Sequence, residues 1–485
     1  MDRRHFVRLS LASTAVFPVS RVAAASPSVV RLRLTIESRV AGNPIPADFC
    51  GLSYESAVLS DPTFFAPDNT ELIGFFSRLG ESGALRIGGN TSEYSVWNPM
   101  DQMVPKASPP LGPDTGRQPP LQRPITPEAI RNLRGFLDAT GWTLIYGLNF
   151  GTEPPETCAN EAAYVAKEIG PRLVALQLGN EADLFNHNGL RKPNYDFPQF
   201  AAEWRRYFDV VRKRVPNTAF SGPDTAVNSR WLAAFAKLFG RDVRFLSQHY
   251  YAEGPPADPG ATIPRLLDPK NPRLDSLLDG ITQAHGNAPG VPFRLTETNS
   301  CYGGGKADVS NTFASALWGV DMMYRMAATG AVGINFHGGG YGWYSPIVGT
   351  REAGFVARPL YYGMLMFAGG GAGQLVSSTI DNPATAPLFA AYALSNRGGR
   401  LNLVLINKHE DMDVELAAVG VPSTSAEVLR LMSPRLDDTQ DTTFGGAPVG
   451  SSGAWTPATA STLHAASGML PLTIQRASAA LVRFA

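Results

Sequence analysis

Short apolar runs separated by longer amphipathic stretches dominate the chain from residue 49 to 336. Eight of them read as buried strands: Phe49–Tyr54, Ala84–Ile87, Thr143–Leu148, Val174–Leu178, Ala219–Ser221, Val243–Ser247, Phe293–Thr296 and Gly333–Phe336. Runs of this length, bounded by Gly, Pro and Asn, fit a parallel sheet covered on both faces. Between several of them lie helical patterns, such as Phe200–Arg214 and Thr312–Ala328. Strand and helix alternating eight times predict an α/β fold, a closed (β/α)8 TIM barrel over residues 46–368.

The two ends of the chain read differently. Val30, Leu32, Leu34 and Ile36 alternate with Arg31, Arg33, Thr35 and Glu37, the pattern of a half-exposed antiparallel strand. After Gly369–Gly373 helical periodicity stops. Seven strand-like runs follow: 374–380, 388–394, 401–406, 414–417, 427–431, 470–474 and 480–484. They predict a C-terminal antiparallel β-sandwich over residues 374–485, which the strand in residues 26–45 joins. Between the second and third barrel strands, Met100 to Pro127 is Pro-rich. A loop there either walls the pocket or is a surface excursion.

Residues 1–25 look like an export signal. Arg3-Arg4 followed by Phe6 has the twin-arginine form, Leu9 to Val22 is mildly apolar, and Ala23–Ala25 offers a small-residue cleavage site. The expected location is periplasmic or extracellular. That apolar stretch is too short and too rich in Ser and Thr to span a membrane. The chain carries 42 basic and 42 acidic side chains with no long run of either sign. It therefore has no electrostatic footprint for nucleic acid or an anionic membrane. Cys50, Cys158 and Cys301 are odd in number and show no CxxC spacing; any one pair could form outside the cell. Seven scattered histidines leave little for a metal cluster, so no metal and no cofactor is expected.

The chemistry points to two glutamates. Glu181 follows the fourth apolar run and Glu297 closes the seventh. In an α/β barrel the strand tips hold the catalytic groups. Two carboxyls from different strands are what glycosidic bond hydrolysis needs, one as acid and one as nucleophile or base. A retaining mechanism requires them about 5–5.5 Å apart.

Gly179-Asn-Glu181 with Thr296-Glu297 is similar to the large glycosidase clan that carries acid and nucleophile on barrel strands four and seven. Glu297-Thr-Asn-Ser-Cys-Tyr-Gly-Gly-Gly305, Gly88-Gly89 and His249-Tyr250-Tyr251 sharpen this to glycoside hydrolase family 79, the β-glucuronidase and heparanase family, which the chain resembles over nearly all of residues 29–485. The resemblance implies a retaining exo-β-glucuronidase acting on a β-glucuronide-containing carbohydrate. Glu181 is then the acid/base and Glu297 the nucleophile, with Tyr250 among the donors that keep Glu297 ionised. Tyr302 and the N–H groups of Gly303 and Gly304 would hold the sugar's C6 carboxylate, as a backbone anion nest does; Lys306 is a weaker charge partner. Asn180 would bond the sugar 2-hydroxyl or tie down the strand end. Glu55 would accept a bond from another hydroxyl. Trp343 or Tyr344 either stacks on the sugar or packs the core. An endo-acting, heparanase-like hydrolase is the alternative, and a silent carbohydrate-binding protein the alternative of another class.

Overall fold

The computed structural model describes residues 28–100, 123–339, 342–371, 373–396 and 398–485. The expected export signal, most of the Pro-rich loop, Gly340 and Tyr341 lie outside the described residues. All eight barrel strands form: β1 (Cys50–Glu55), β2 (Ala84–Gly88), β3 (Thr143–Leu148), β4 (Leu173–Leu178), β5 (Phe220–Thr225), β6 (Phe245–Glu253), β7 (Phe293–Cys301) and β8 (Ile334–His337). Each pairs in parallel with the next, and β8 pairs with β1 to close the barrel. Helices cover the outside and are started by local chemistry. Thr126, Asn228 and Asn271 each accept a backbone N–H of the first turn, and Asp196 makes a capping box with Gln199.

Inside the barrel the lower layer is apolar: Ala84, Ile145, Ala175 and Phe245 pack together. One pleat higher on the same strands stand Arg86, Gln177 and Ser247, and one pleat above Ser247 stands His249, all buried. The strands thus change from oil to charge toward their C-terminal ends, and that is where the site lies.

The second domain is one ten-stranded sheet curled over its own apolar core. The N-terminal strand, Ser28–Pro44, sits inside this sheet, antiparallel to Gly373–Ile380 and parallel to Met412–Val419. Leu32, Leu34 and Ile36 face its core, as their alternation requires. The three cysteines are buried and free. Among the described residues no helix is long and apolar enough to cross a membrane.

A buried ion pair joins the domains. Lys408, from the sheet domain, donates to Asp321 on the barrel helix Phe313–Ala328 at 2.6 Å, and Tyr392 donates to the same carboxylate at 2.6 Å. Lys408→Met should cost about 3 kcal/mol, the low end for removing one partner of a buried pair, because Arg325 remains 3.3 Å from Asp321. A drop in the urea midpoint reads this out. Arg31→Gln, which removes an exposed pair with Glu415, should leave the midpoint where it was.

Candidate active site

Arg86 is the hub of the barrel mouth. It stands in β2, is 1% exposed, and spends its guanidinium on residues from four other strands or strand tips. Nη1 donates to Glu297 at 2.6 Å and to Ser53 at 3.2 Å; Nη2 donates to Asp224 and to Asn180, both at 2.7 Å; Nε donates to Gln177 at 3.1 Å. Gly88 leaves room for this fan, since a Cβ there would stand 2.6 Å from the guanidinium carbon.

Three carboxylates reach the mouth through breaks in regular backbone. Glu181 has φ of 53° just after β4, and its N–H donates to the Asp224 carbonyl at 2.9 Å. Asp224 has φ of 60° where the β5–β6 register slips. Glu297 follows a slip in β7, which lets Thr296 and Glu297 both reach the interior. Asp183 locks the β4 and β5 tips together by accepting the N–H groups of Ala226, Val227 and Asn228.

His249 lies between these groups. Its Nδ1 is 2.9 Å from Glu181 and 3.8 Å from Glu297, and its Nε2 is 3.2 Å from Asp224. Burial disfavours the imidazolium, but Glu297, Asp224 and Glu181 outweigh it and push the histidine up to about 10. Burial also works against charge on Glu297, yet His337, His249 and Arg86 hold its carboxyl at about 2, with a 2.7 Å bond from Tyr251. Burial wins at Glu181: its carboxyl is raised, with the Glu297 charge adding to the rise and His249 opposing it. The surroundings therefore push the two glutamates in opposite directions.

One carboxylate oxygen each from Glu181 and Glu297 and one ring nitrogen of His249 lie within 4.8 Å of one another. A cation could be held at such a spacing by free ligands. Here His249 at neutral pH donates from both nitrogens and has no lone pair to offer, and Glu297 is already paired with Arg86.

The remaining expected residues fall as follows. Asn180 is buried, its oxygen taken by Arg86 and its amide donating to Asn90 at 3.1 Å, so it ties the strand end. Buried Glu93 accepts the Asn180 and Gly151 N–H groups and fixes that tip from the other side; burial raises it to about 7. Glu55 accepts from Thr91 N–H and hydroxyl at 2.9 and 2.6 Å and lies 3.3 Å from His337, with 29% of its side chain still exposed. Tyr344 is buried, its ring 6.1 Å from Tyr251 and 5.9 Å from His337, while Trp343 is half exposed. Gly303, Gly304 and Gly305 follow one another with φ of 72°, 91° and 81°. Only glycine takes this run without strain, and a Cβ on Gly305 would stand 2.6 Å from the Tyr344 backbone nitrogen. Tyr302 is exposed at the rim, 6.3 Å from the Tyr251 ring.

Two expectations need correction. Tyr250 does not serve Glu297; Tyr251 does. In β6 side chains alternate, so His249 and Tyr251 face the mouth while Tyr250 is buried on the outer side among Leu266, Leu274 and Trp318. Lys306 is turned onto the carbonyls of Asp258 and Ala261 at 2.8 and 2.9 Å. Sequence reasoning missed Arg86, Asp224, His249, Tyr251 and His337 as site residues. A lone arginine between Leu85 and Ile87 in a buried strand was a usable signal.

The fold, a barrel with an added curled sheet, is one it shares with solved glycoside hydrolases. The 4-O-α-L-rhamnosyl-β-D-glucuronidase of Fusarium oxysporum 12S superposes with a TM-score of 0.75 over 93% of this chain and 100% of its own, at 16% identity. The GH51 α-L-arabinofuranosidase of Thermotoga petrophila RKU-1 does so at 0.67 and 14% identity, over 94% and 100%. In sequence the chain is similar to the β-glucuronidase of Neurospora crassa, 25% identical over 79% of this chain and 76% of the relative. It is also similar to that of Aspergillus niger, 26% identical over 76% and 71%. A heparanase of Gallus gallus is 23% identical over 62% of this chain and 69% of its own. No family model matches the chain.

Asp224→Asn tests the electrostatic account without any substrate. Removing that negative charge should lower His249 from about 10 toward its ordinary value of 6.5, followed by NMR titration of the imidazole. An unmoved titration would contradict the assignment of cause.

Proposed function

We propose that the protein is a retaining exo-β-glucuronidase, exported from the cell. What carries this reading is a pair of glutamates with one carboxylate oxygen of each within 4.8 Å, one raised and one held at about 2. Paired carboxyls pushed apart in this way define an acid and a nucleophile. Such a separation supports direct attack, because an inverting enzyme needs about 6.5–9.5 Å for an intervening water. The uronic acid part rests on the likeness to two β-glucuronidases and on the left-handed glycine run beside the site. Exo action is supported by the basic pairs of helix Phe197–Arg214. Arg205 pairs with Asp242 and Arg212 holds the carbonyls of Pro216 and Thr218, so neither is free to line an extended anionic cleft.

In the first step the Glu297 carboxylate forms a bond to the anomeric carbon as the bond to the aglycone oxygen breaks, and Glu181 gives that oxygen its proton. In the second, Glu181 takes a proton from water, the water oxygen bonds to the anomeric carbon, and Glu297 leaves as carboxylate. Tyr251 and Arg86 hold the nucleophile in line and His249 spans both carboxyls.

Turnover of an aryl β-glucuronide in strong preference to the β-glucoside is the expected result; the reverse preference would sink the uronic acid reading. Heparan sulfate cut into mid-length fragments would replace exo with endo action. Glu297→Gln should abolish turnover, since no covalent intermediate forms. Glu181→Gln should keep the first step on activated aryl substrates and regain the second with azide. The pH profile should have its acid limb near Glu297 at about 2, and its alkaline limb, where Glu181 loses its proton, above the ordinary glutamate range.

A further inference from the structure

One arginine lies over Tyr302, the residue that precedes the glycine run. The helix Pro272–Asn287 starts beside the β7 tip, and Asn271 caps it by accepting the N–H groups of Arg273 and Leu274. Arg273 therefore occupies the first turn, where the helix dipole is positive and a cation is unfavourable. A neutral side chain would serve the helix better. The guanidinium lies over the Tyr302 ring, 5.7 Å from its centroid, and Nη1 donates to the Glu253 carbonyl at 3.3 Å. The Glu253 carboxylate pairs with Arg265 at 3.0 Å and also feels the charge of Arg273, which divides its field between that carboxylate and the face of the tyrosine. The other cations nearby are turned away: Lys306 onto loop carbonyls, and Arg358 over Trp343 with a bond to the Gly342 carbonyl.

We propose that Arg273 is a specificity-determining residue, supplying through Tyr302 the counter-charge for the uronate carboxylate that Tyr302 and the glycine run receive. This rests on the β-glucuronidase reading above. A cation on the face of a phenol draws density from the ring and strengthens its hydroxyl as a donor to an anion. The positive helix end adds to the same potential. A neutral C6 hydroxymethyl group gains from neither. Arg273 thus raises affinity for the acid sugar and takes no part in bond breaking.

The test compares kcat and KM of the full chain and of Arg273→Gln and Arg273→Lys on an aryl β-glucuronide and the matching β-glucoside. Arg273→Gln should lose about tenfold in kcat/KM on the glucuronide, the worth of one screened charge at this range. The loss should fall on KM, the glucoside should be unaffected, and the rise of KM with salt should flatten. Arg273→Lys keeps the charge and should keep most of the preference. An unchanged glucuronide-to-glucoside ratio in Arg273→Gln overturns the proposal, and so does an equal fall on both substrates. A wild-type protein without preference for the glucuronide removes the β-glucuronidase reading and this inference with it.

Discussion

A single buried cation makes the barrel mouth possible. Arg86, Glu297 and Asp224 are all within a few per cent of complete burial, and charge in such a place is costly unless paired and hydrogen-bonded. The arginine meets that condition for both carboxylates through its planar fork, at 2.7 and 2.6 Å. A lysine would offer a point charge and could not reach Ser53, Gln177 and Asn180 as well. Its presence sets the requirements on its neighbours: glycine at 88, a slipped register at β5 and β7, and a left-handed residue after β4.

From that arrangement follows a difference in charge preference between two identical side chains. Glu297 is surrounded by Arg86, His249, His337 and Tyr251, all favouring its charge. Glu181 keeps only His249, and burial outweighs it. His249 in turn stays charged because Glu297 faces it and Asp224 stands behind it. The two glutamates differ in what surrounds them, and the surroundings come from β2, β5, β6 and β8 rather than from their own strands.

This explains what could be read from the chain. Buried strands announce themselves by short apolar runs, and all eight were found where the runs stand, as were the two glutamates at their ends. Partners across the barrel are not local in sequence. Asp224 follows a Gly-Pro pair that reads only as a turn, and its four donors come from residues 86, 177, 249 and 296. The error at Tyr250 has a simple source. β6 runs on to Glu253, well past the apolar run that ended at Ser247, so the alternation governing His249–Tyr251 was not applied. Polar residues at the mouth interrupt the hydrophobic signal in the very segment where the site is built.

The position of the N-terminal strand has a bearing on how the molecule is made. Arg31 meets Glu415, 384 residues further along. At ribosomal speeds of roughly 5–20 residues per second, the first strand waits about 20 to 80 seconds for that partner. Through that interval an alternating strand with Leu32, Leu34 and Ile36 on one face lacks a sheet to cover it. Its other face carries Arg31, Arg33 and Glu37. Those charges discourage strand-to-strand association between nascent chains, so the same alternation that seats the strand in the finished sheet guards it against aggregation during synthesis.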